Sequence, residues 1–462
     1  MNQPAPRDLV RGLGLLATTA IVVGGVIGTG VFLKARVMTC NVGTPIMVIA
    51  AWVAAGLMSL TGALTYAELA AMLPRAGGEY AFVRDAYGPL AGFLCGWTRF
   101  FVASTGGFAG LAAGFAIFLN IASSGALASV HPSALAVTAA AAIAVVTLVN
   151  CAAVTVGGRI ASAMAILKVA LVLGVGLGAF LLADGDWGHY AMSAAGGACD
   201  GVPASARGGA AGFGAAMLGA LWSYNGWNEV TFVAGEVRRP SRTLPFAIIG
   251  GILILIALYV SANASYFYVL TPAAIASLPA SSAVATESTM RFLGSGTAGL
   301  MAAALAMSVF GSLQVTTLTS ARIPYAMALD GLFFPALGQV SARTHVPVRA
   351  LLAQGLWAIV LVFSGSYDSL TDYAIFAVLI FVVLTTASVF VFRRRMPDAP
   401  RAYRTLGYPV VPIVFLLVAG WVIVNTVVAT PGRAFAGLGL MFAGLPFYWY
   451  WSRASRAQGT LA

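Results

Sequence analysis

The chain has 462 residues and a formal charge of +11, yet charged residues make up only 8% of it and hydrophobic residues 60%. Soluble domains carry roughly 25% charged residues, so this composition excludes a soluble enzyme or regulatory domain and requires a membrane-embedded chain. Of the 25 Lys and Arg residues, nineteen fall on the side that holds the N-terminus, five (Lys34, Arg36, Arg207, Arg291 and Arg433) on the other, and Lys168 within a span; the basic excess is a topology signal of the positive-inside kind, not a nucleic-acid footprint.

Windows of about 20 apolar residues predict twelve spans, centred near residues 25, 58, 105, 144, 171, 223, 257, 312, 356, 381, 419 and 443. Twelve crossings put both termini in the cytoplasm. Residues 1–11 are polar and lead straight into the first span, without the pattern of a cleavable signal peptide. That span contains VVGGVIGTGVF, residues 22–32, with Gly24, Gly25, Gly28 and Gly30 in its middle. Glycine is about 1 kcal/mol worse than alanine in a helix interior. Broken backbone at membrane depth is tolerated only where it is buried in protein or lines a cavity. A functional break is therefore expected here, whereas Gly106, Gly107, Gly174, Gly176 and Gly178 read as close-packing positions.

Further along, Lys168 sits inside the fifth span, where a charge is costly and marks function by default. The largest loop, residues 184–210, is rich in Gly and Ala and reads as a surface connection. The sixth span, residues 215–237, is interrupted at Tyr224-Asn225-Gly226-Trp227-Asn228. Gly226 lies 198 residues after Gly28, an offset that maps spans one to five onto spans six to ten. Interrupted helices at matching positions of two halves point to a transporter's binding site, and an odd number of spans per half makes the repeat inverted.

Cys95 and Cys151 read as packing residues. Cys40 and Cys199 both fall on the outer side, and the sequence leaves open whether they join. His131, His189 and His345 lie in loops or at span edges, without metal-ligand spacing, and no Ser/His/Asp set converges within the spans. No enzyme activity, metal or cofactor is expected.

The first span, VVGGVIGTGVFLK, and the sixth, LWSYNGWNEVTFVAGEVRRPSRTLPFAI, resemble those of the amino acid–polyamine–organocation transporters, above all the L-type amino acid exchangers and their bacterial relatives. LTYAELAAMLPRAGGEYAFVRDAYGPLAGFLCGW (64–97), VNCAAVTVGGRIASAMAILKVALVLG (149–174) and SARIPYAMALDGLFFPAL (320–337) extend the likeness in order over nearly the whole chain. The resemblance implies an all-α integral membrane protein with the LeuT-like fold. One transporter domain over 1–462 would hold two inverted five-helix repeats, 11–183 and 211–392, and two peripheral helices within 405–452. It would lie in the cell (inner) membrane.

Physical argument and resemblance converge on a site for a zwitterion. Free N–H groups near Gly28, Thr29 and Gly30 open a helix N-terminus, which favours a carboxylate. Carbonyls of Val26, Ile27, Trp222 and Ser223 would face the ammonium, with Trp222 as an aromatic lid and Asn225 and Asn228 in or behind the site. Lys168 would face the break in span one, where sodium sits in sodium-coupled relatives, and would couple occupancy to closure or carry a proton. Arg99 and Glu229 are left open: they would pair, or Glu229 would line the side-chain pocket with Gln314. Glu68, Glu79 and Glu236 flank cytoplasmic span ends and read as gate or anchoring groups. The expected function is sodium-independent amino acid exchange. The alternatives are a proton-coupled symporter, a cationic amino acid/polyamine antiporter, and a membrane sensor without turnover. Human relatives join a glycoprotein through a cysteine between spans three and four. The loop SSGALASVHPS has none, so no disulfide-linked heavy chain is expected, and the chain would act as a monomer or weak homo-oligomer.

Overall fold

Within lipid, every backbone N–H and C=O must find a partner inside the protein, so long apolar segments become helices. The computed structural model describes residues 9–279, 282–365, 367–429 and 431–457; Arg7 and the side chains of Arg433 and Arg456, all part of the charge count above, lie outside the described residues. The helices are α1 (Leu15–Val26), α2 (Gly30–Val42), α3 (Pro45–Met72), α4 (Glu79–Tyr87), α5 (Pro89–Thr98), α6 (Thr105–Ala122), α7 (Ala126–Val130), α8 (Ala134–Asn150), α9 (Val154–Leu182) and α10 (Gly209–Ser223). There follow α11 (Pro240–Val269), α12 (Pro272–Ala276), α13 (Val284–Leu293), α14 (Ala298–Ser320), α15 (Arg322–Leu329), α16 (Val348–Ser364), α17 (Tyr367–Arg395), α18 (Val410–Ala429), α19 (Pro431–Phe442) and α20 (Leu445–Ala457). A π-helical turn, Arg99–Ser104, joins α5 to α6, and a ten-residue 3₁₀ stretch, Trp227–Glu236, follows α10. Among the described residues no strand forms; an isolated bridge pairs Leu13 with Val237.

Eight stretches are long and apolar enough to cross a membrane: Leu15–Val42, Pro45–Met72, Pro89–Ala122, Val154–Leu182, Pro240–Val269, Ser295–Leu329, Phe376–Arg395 and Val410–Val428. The apolar helices α8 and α16 have 17 residues each, about 26 Å at 1.5 Å per residue. The twelfth expected span, near residue 443, is not one helix. It divides at a turn into α19 and α20, of 12 and 13 residues, each well short of the roughly 30 Å hydrocarbon core. Gly444 packs at that turn against Trp97, whose ring a Cβ there would meet at 2.8 Å. Among the described residues, length and composition thus mark eight candidate spans, with α8, α16 and the divided α19–α20 stretch falling short of that length.

At the centre, α1 packs against α9, α11, α14 and the 3₁₀ stretch. It is apolar on every side, and Ile21, Val22, Val23, Val26 and Ile27 are buried. Leu148, Leu181, Phe246, Leu300, Leu356, Leu417 and Val424 are exposed on the periphery, the apolar exterior that a lipid-facing surface requires.

Both expected breaks are present. α1 stops at Val26, Ile27 turns extended (φ −68°, ψ 93°), and α2 starts at Gly30. α10 stops at Ser223, and Gly226 takes φ +111° before the 3₁₀ stretch. Gly226 needs glycine for that backbone. The glycines of the first break serve mainly close packing. A Cβ on Gly24 would lie 3.3 Å from Ala165 Cβ, one on Gly25 3.3 Å from Val315 Cγ1, and one on Gly30 2.6 Å from Ser223 Cβ; Gly28 alone would meet nothing nearer than 3.9 Å. The two breaks abut, since a Cβ on Gly226 would sit 3.4 Å from Gly25 O.

Cys40 and Cys199 form a disulfide, with Cα atoms 5.6 Å apart. The loop 184–210 is therefore fastened to α2 rather than a loose connection. Gly226→Ala should lower stability by about 1–2 kcal/mol, the strain of a side chain at positive φ, while Gly107→Ala, in α6 with a Cβ that meets nothing within 4 Å, should keep it or raise it by up to about 1 kcal/mol. Thermal unfolding of the two purified variants in one detergent checks this; equal melting points would contradict it.

Candidate functional site

The breaks free backbone groups in the middle of the membrane, and three side chains take up the carbonyls. Lys168 rises from α9 and is buried; its Nζ donates to Gly24 O at 2.6 Å, Ile27 O at 2.7 Å and Ser312 Oγ at 2.7 Å. An ammonium has three donors, so Lys168 is fully satisfied. No carboxylate lies within ion-pair distance of it among the described residues. Its charge rests instead on the C-terminal end of α1, where the helix dipole is negative. Gly311 leaves room for its stem, since a Cβ there would lie 2.9 Å from Lys168 Cε. Ser312 Oγ passes its own hydrogen to Ile27 O at 3.0 Å.

The third side chain is Tyr259 of α11. Its hydroxyl lies 3.1 Å from both Val26 O and Ser223 O, so one O–H is shared by the last carbonyl of α1 and the last of α10. Tyr259 packs edge-on against Trp52 and tilted against Tyr224, whose hydroxyl donates to Trp52 O at 3.3 Å. Trp222 O receives the N–H of Asn225 at 3.2 Å. All four carbonyls expected to face an ammonium therefore have protein donors. Ile27 O has two, which fills its lone pairs, whereas Val26, Trp222 and Ser223 lie at the helix ends with acceptor capacity remaining.

The donors of the site lie opposite. In the first turn of α2, Phe32 N and Leu33 N both return to Thr29 O at 3.1 Å, while the N–H groups of Gly30 and Val31 precede any intrahelical acceptor. Gly28 and Thr29 are half-buried and Trp222 and Asn225 exposed, while Gly30 and Ser223 are buried against each other. Accessible surface at the breaks thus comes from Gly28, Thr29, Trp222 and Asn225. On α14, Val315 and Ser312 face the break. Gln314 turns to α8 and α9 instead, donating Nε2 to Asn150 Oδ1 and to Gly157 O, each at 3.2 Å.

Arg99 and Glu229 do not pair. Arg99 Nε donates to Glu79 Oε2 at 3.0 Å, and Glu79, wholly buried, also accepts from Tyr66 Oη at 2.8 Å and from Asn228 Nδ2. Asn228 thus serves this hub rather than the open part of the break. Glu229, half-buried, accepts from Thr319 Oγ1 at 3.2 Å. Two more carboxylates are held on the same side as Glu79. Glu236 takes a bidentate pair from Arg322, at 2.6 and 2.9 Å with both side chains wholly buried, and Glu68 takes Arg393 at 2.7 Å and Arg401 at 3.3 Å. Backbone bonds add to the closure: Leu13 N to Glu236 O at 3.0 Å, Arg238 N to Leu13 O at 2.8 Å and Gly77 N to Phe232 O at 2.9 Å. Beyond the spans, Tyr80 donates to Asp330 at 2.6 Å; burial first, then the Asp330 carboxylate, holds that hydroxyl well above the usual phenol range, so it remains a donor.

The sequence singles out Lys168 as a charge in a span, but not Tyr259 or Ser312. A serine and a tyrosine in apolar helices carry no signal until the broken ends they face are known. Arg322 was read only as a cytoplasmic basic residue, although SARIPYAMAL places it at a span end.

Paired helix breaks, a buried lysine on the broken end and apolar helices all round define a membrane protein with a backbone-built site at its centre. A family model described as amino acid permease matches residues 13–449, and the chain belongs to that family. It is 29% identical over 447 residues to the b(0,+)-type amino acid transporter 1 of Mus musculus, covering 96% of this chain and 88% of that protein. It is 28% identical to the serine/threonine exchanger SteT of Bacillus subtilis (strain 168), covering 96% and 97%. It is 30% identical to the large neutral amino acids transporter small subunit 2 of Oryctolagus cuniculus, covering 96% and 81%. The family and these relatives are transporters, not enzymes, and this chain is an amino acid transporter of that family.

Tyr259→Phe removes the one hydroxyl that ties α1 to α10 and leaves two buried carbonyls short of a donor, a loss of about 1–3 kcal/mol. The expected result is a lower melting point together with weaker amino acid binding by calorimetry. Wild-type values for both would remove Tyr259 from the site.

Proposed function

We propose that the chain is a sodium-independent exchanger of amino acids that works by alternating access. Its twelve hydrophobic segments would be arranged as a LeuT-like pair of inverted five-helix repeats plus two peripheral segments. The observation that carries the proposal is the pair of abutting breaks. α2 offers free N–H groups at Gly28, Thr29 and Gly30, with the Thr29 hydroxyl, for a carboxylate. The carbonyl ends at Val26 and Ser223 offer acceptors for the ammonium. Trp222 and Asn225 border the space left for the side chain. Lys168 holds Gly24 O and Ile27 O through its Nζ. A side chain of the protein thus fixes the broken end of α1 without sodium, which supports a sodium-independent cycle.

The accessible surface at Gly28, Thr29, Trp222 and Asn225, set against the buried ion pairs of Glu79, Glu236 and Glu68, fits a state closed to the cytoplasm. This orientation puts both termini inside and Cys40 and Cys199 outside, where disulfides persist. Together with the bacterial relative, it favours the inner membrane of a bacterial cell. The loop between α6 and α8 has no cysteine, so no disulfide-linked heavy chain is proposed, and the working unit is a monomer or weak homo-oligomer.

A second reading is proton-coupled symport, favoured by Glu229. It is a half-buried carboxylate whose hydrogen-bond donor is a threonine hydroxyl and which makes no ion pair among the described residues. Uptake of labelled amino acid into proteoliposomes separates the readings. Uptake that requires internal amino acid and ignores sodium and pH gradients is the expected result. Uptake into empty vesicles driven by a proton gradient would replace exchange by symport, and binding without any uptake would make the chain a sensor. Within the same assay, Gly28→Ala should leave folding intact, because its Cβ has room, yet lower uptake by placing a methyl group where the carboxylate sits. Full uptake by that variant would contradict the site.

A further inference from the structure

The outer halves of the two broken spans, α2 and α10, form an antiparallel pair with backbone contact at both ends. At the break, a Cβ on Gly30 would run into the Ser223 side chain, and at the far end a Cβ on Gly212 would overlap Asn41 O. The far end is fastened as well as packed. Cys40, in the last turn of α2, is bonded to Cys199, ten residues before α10 begins at Gly209. Between those points Asn41 grips the chain twice: its Nδ2 donates to Ala206 O at 2.7 Å, and its own carbonyl accepts from Gly208 N at 2.7 Å. One turn earlier on α2, buried Arg36 donates Nη2 to Asp200 O at 2.6 Å and Nε to Leu278 O. Cys199 N donates to Ala276 O at 3.1 Å. Both sulfur-bearing residues are buried, Cys40 at 6% and Cys199 at 5% exposure, so external thiols reach the bond poorly and it acts as a permanent brace.

We propose that the Cys40–Cys199 disulfide and Asn41 make α2 and α10 one mechanical unit, so that the outer halves of both broken spans swing together when the site closes to the outside. The proposal rests on the transport reading above. Individual hydrogen bonds contribute little net free energy and re-form with new partners as elements shift, and small residues let two backbones touch but also slide. A covalent tie removes that sliding. Rigid-body motion of packed elements is a common way to switch between two states, and the brace defines which elements belong to one body. On this account the disulfide sets the rate of closure and leaves the affinity of the open site unchanged, because Gly28 and Thr29 lie at the opposite end of α2.

The test is exchange by purified protein in proteoliposomes, wild type against Cys40→Ala/Cys199→Ala, with KM and maximal rate read separately. A thiol count comes first: denatured wild-type protein should label at Cys95 and Cys151 alone, and at four positions after reduction. Four labels without reductant would overturn the proposal. The double variant should exchange several-fold more slowly at unchanged KM, and adding Asn41→Ala should slow it further. Wild-type exchange by the double variant would overturn the brace, whereas no exchange by the wild type would instead overturn the transport reading. Should the variant fail to fold, wild-type vesicles are treated outside with tris(2-carboxyethyl)phosphine. The phosphine takes an oxygen from water and becomes its oxide, while the disulfide accepts two electrons and two protons and becomes two thiols. Once the label count reaches four, an unchanged rate overturns the proposal and a slower one at constant KM supports it.

Discussion

A helix cannot stop inside a bilayer unless every backbone group it releases finds a partner, and this requirement organises the centre of the molecule. α1 ends at Val26 and α10 at Ser223, and both residues are buried, so their freed carbonyls need donors from the protein. Lys168 takes Gly24 O and Ile27 O, Ser312 supports it, and Tyr259 spans Val26 O and Ser223 O. Each of these side chains comes from a different continuous helix, α9, α14 and α11. The broken ends are therefore positioned by three unbroken ones, and what remains unclaimed is the N-terminal turn of α2. A site that lacks only an anion next to a few acceptors is suited to a zwitterion whose carboxylate completes it.

Charge is distributed around that centre in a consistent way. The midpoint carries a lysine compensated by dipoles alone. On the side that holds Leu13 lie three buried carboxylates, Glu79, Glu236 and Glu68, each compensated by arginine and each linking separate elements. Truncating one partner of such a pair leaves a buried charge alone, at about 3–5 kcal/mol, so that side is held by strong ionic interactions. The opposite side is held by the α2–α10 pair and its covalent tie.

Much of this is legible in the sequence, though residue type alone does not give the physical reason. Asn225-Gly226 marks a break because only glycine accepts φ +111° comfortably, and the backbone there agrees. The break at Ile27 to Thr29 was legible in place, but its backbone angles suit any residue; Gly24, Gly25 and Gly30 are there because α9, α14 and α10 come so close. Lys168 stands out as a charge in a span. Its partners do not, because carbonyl and hydroxyl acceptors leave no trace in residue type. The Arg99–Glu79 pair spans 20 positions and a loop, and Glu229, beside the second break, competes with Glu79 as a partner for Arg99 on sequence alone. The Cys40–Cys199 tie spans 159 residues, beyond any local signal. The apolar window near 443 hid a turn that Gly444 makes against Trp97, since hydropathy averages register composition and not a bend.

The most direct test of the central claim is a density map of the chain with an amino acid bound, recorded beside one without it. The account predicts that the carboxylate meets the N–H groups at Gly28 to Gly30, that the ammonium lies between the carbonyl ends at Val26 and Ser223, and that Lys168 stays on Gly24 O and Ile27 O. An amino acid seated elsewhere, or one whose carboxylate is taken by Lys168 itself, would contradict it.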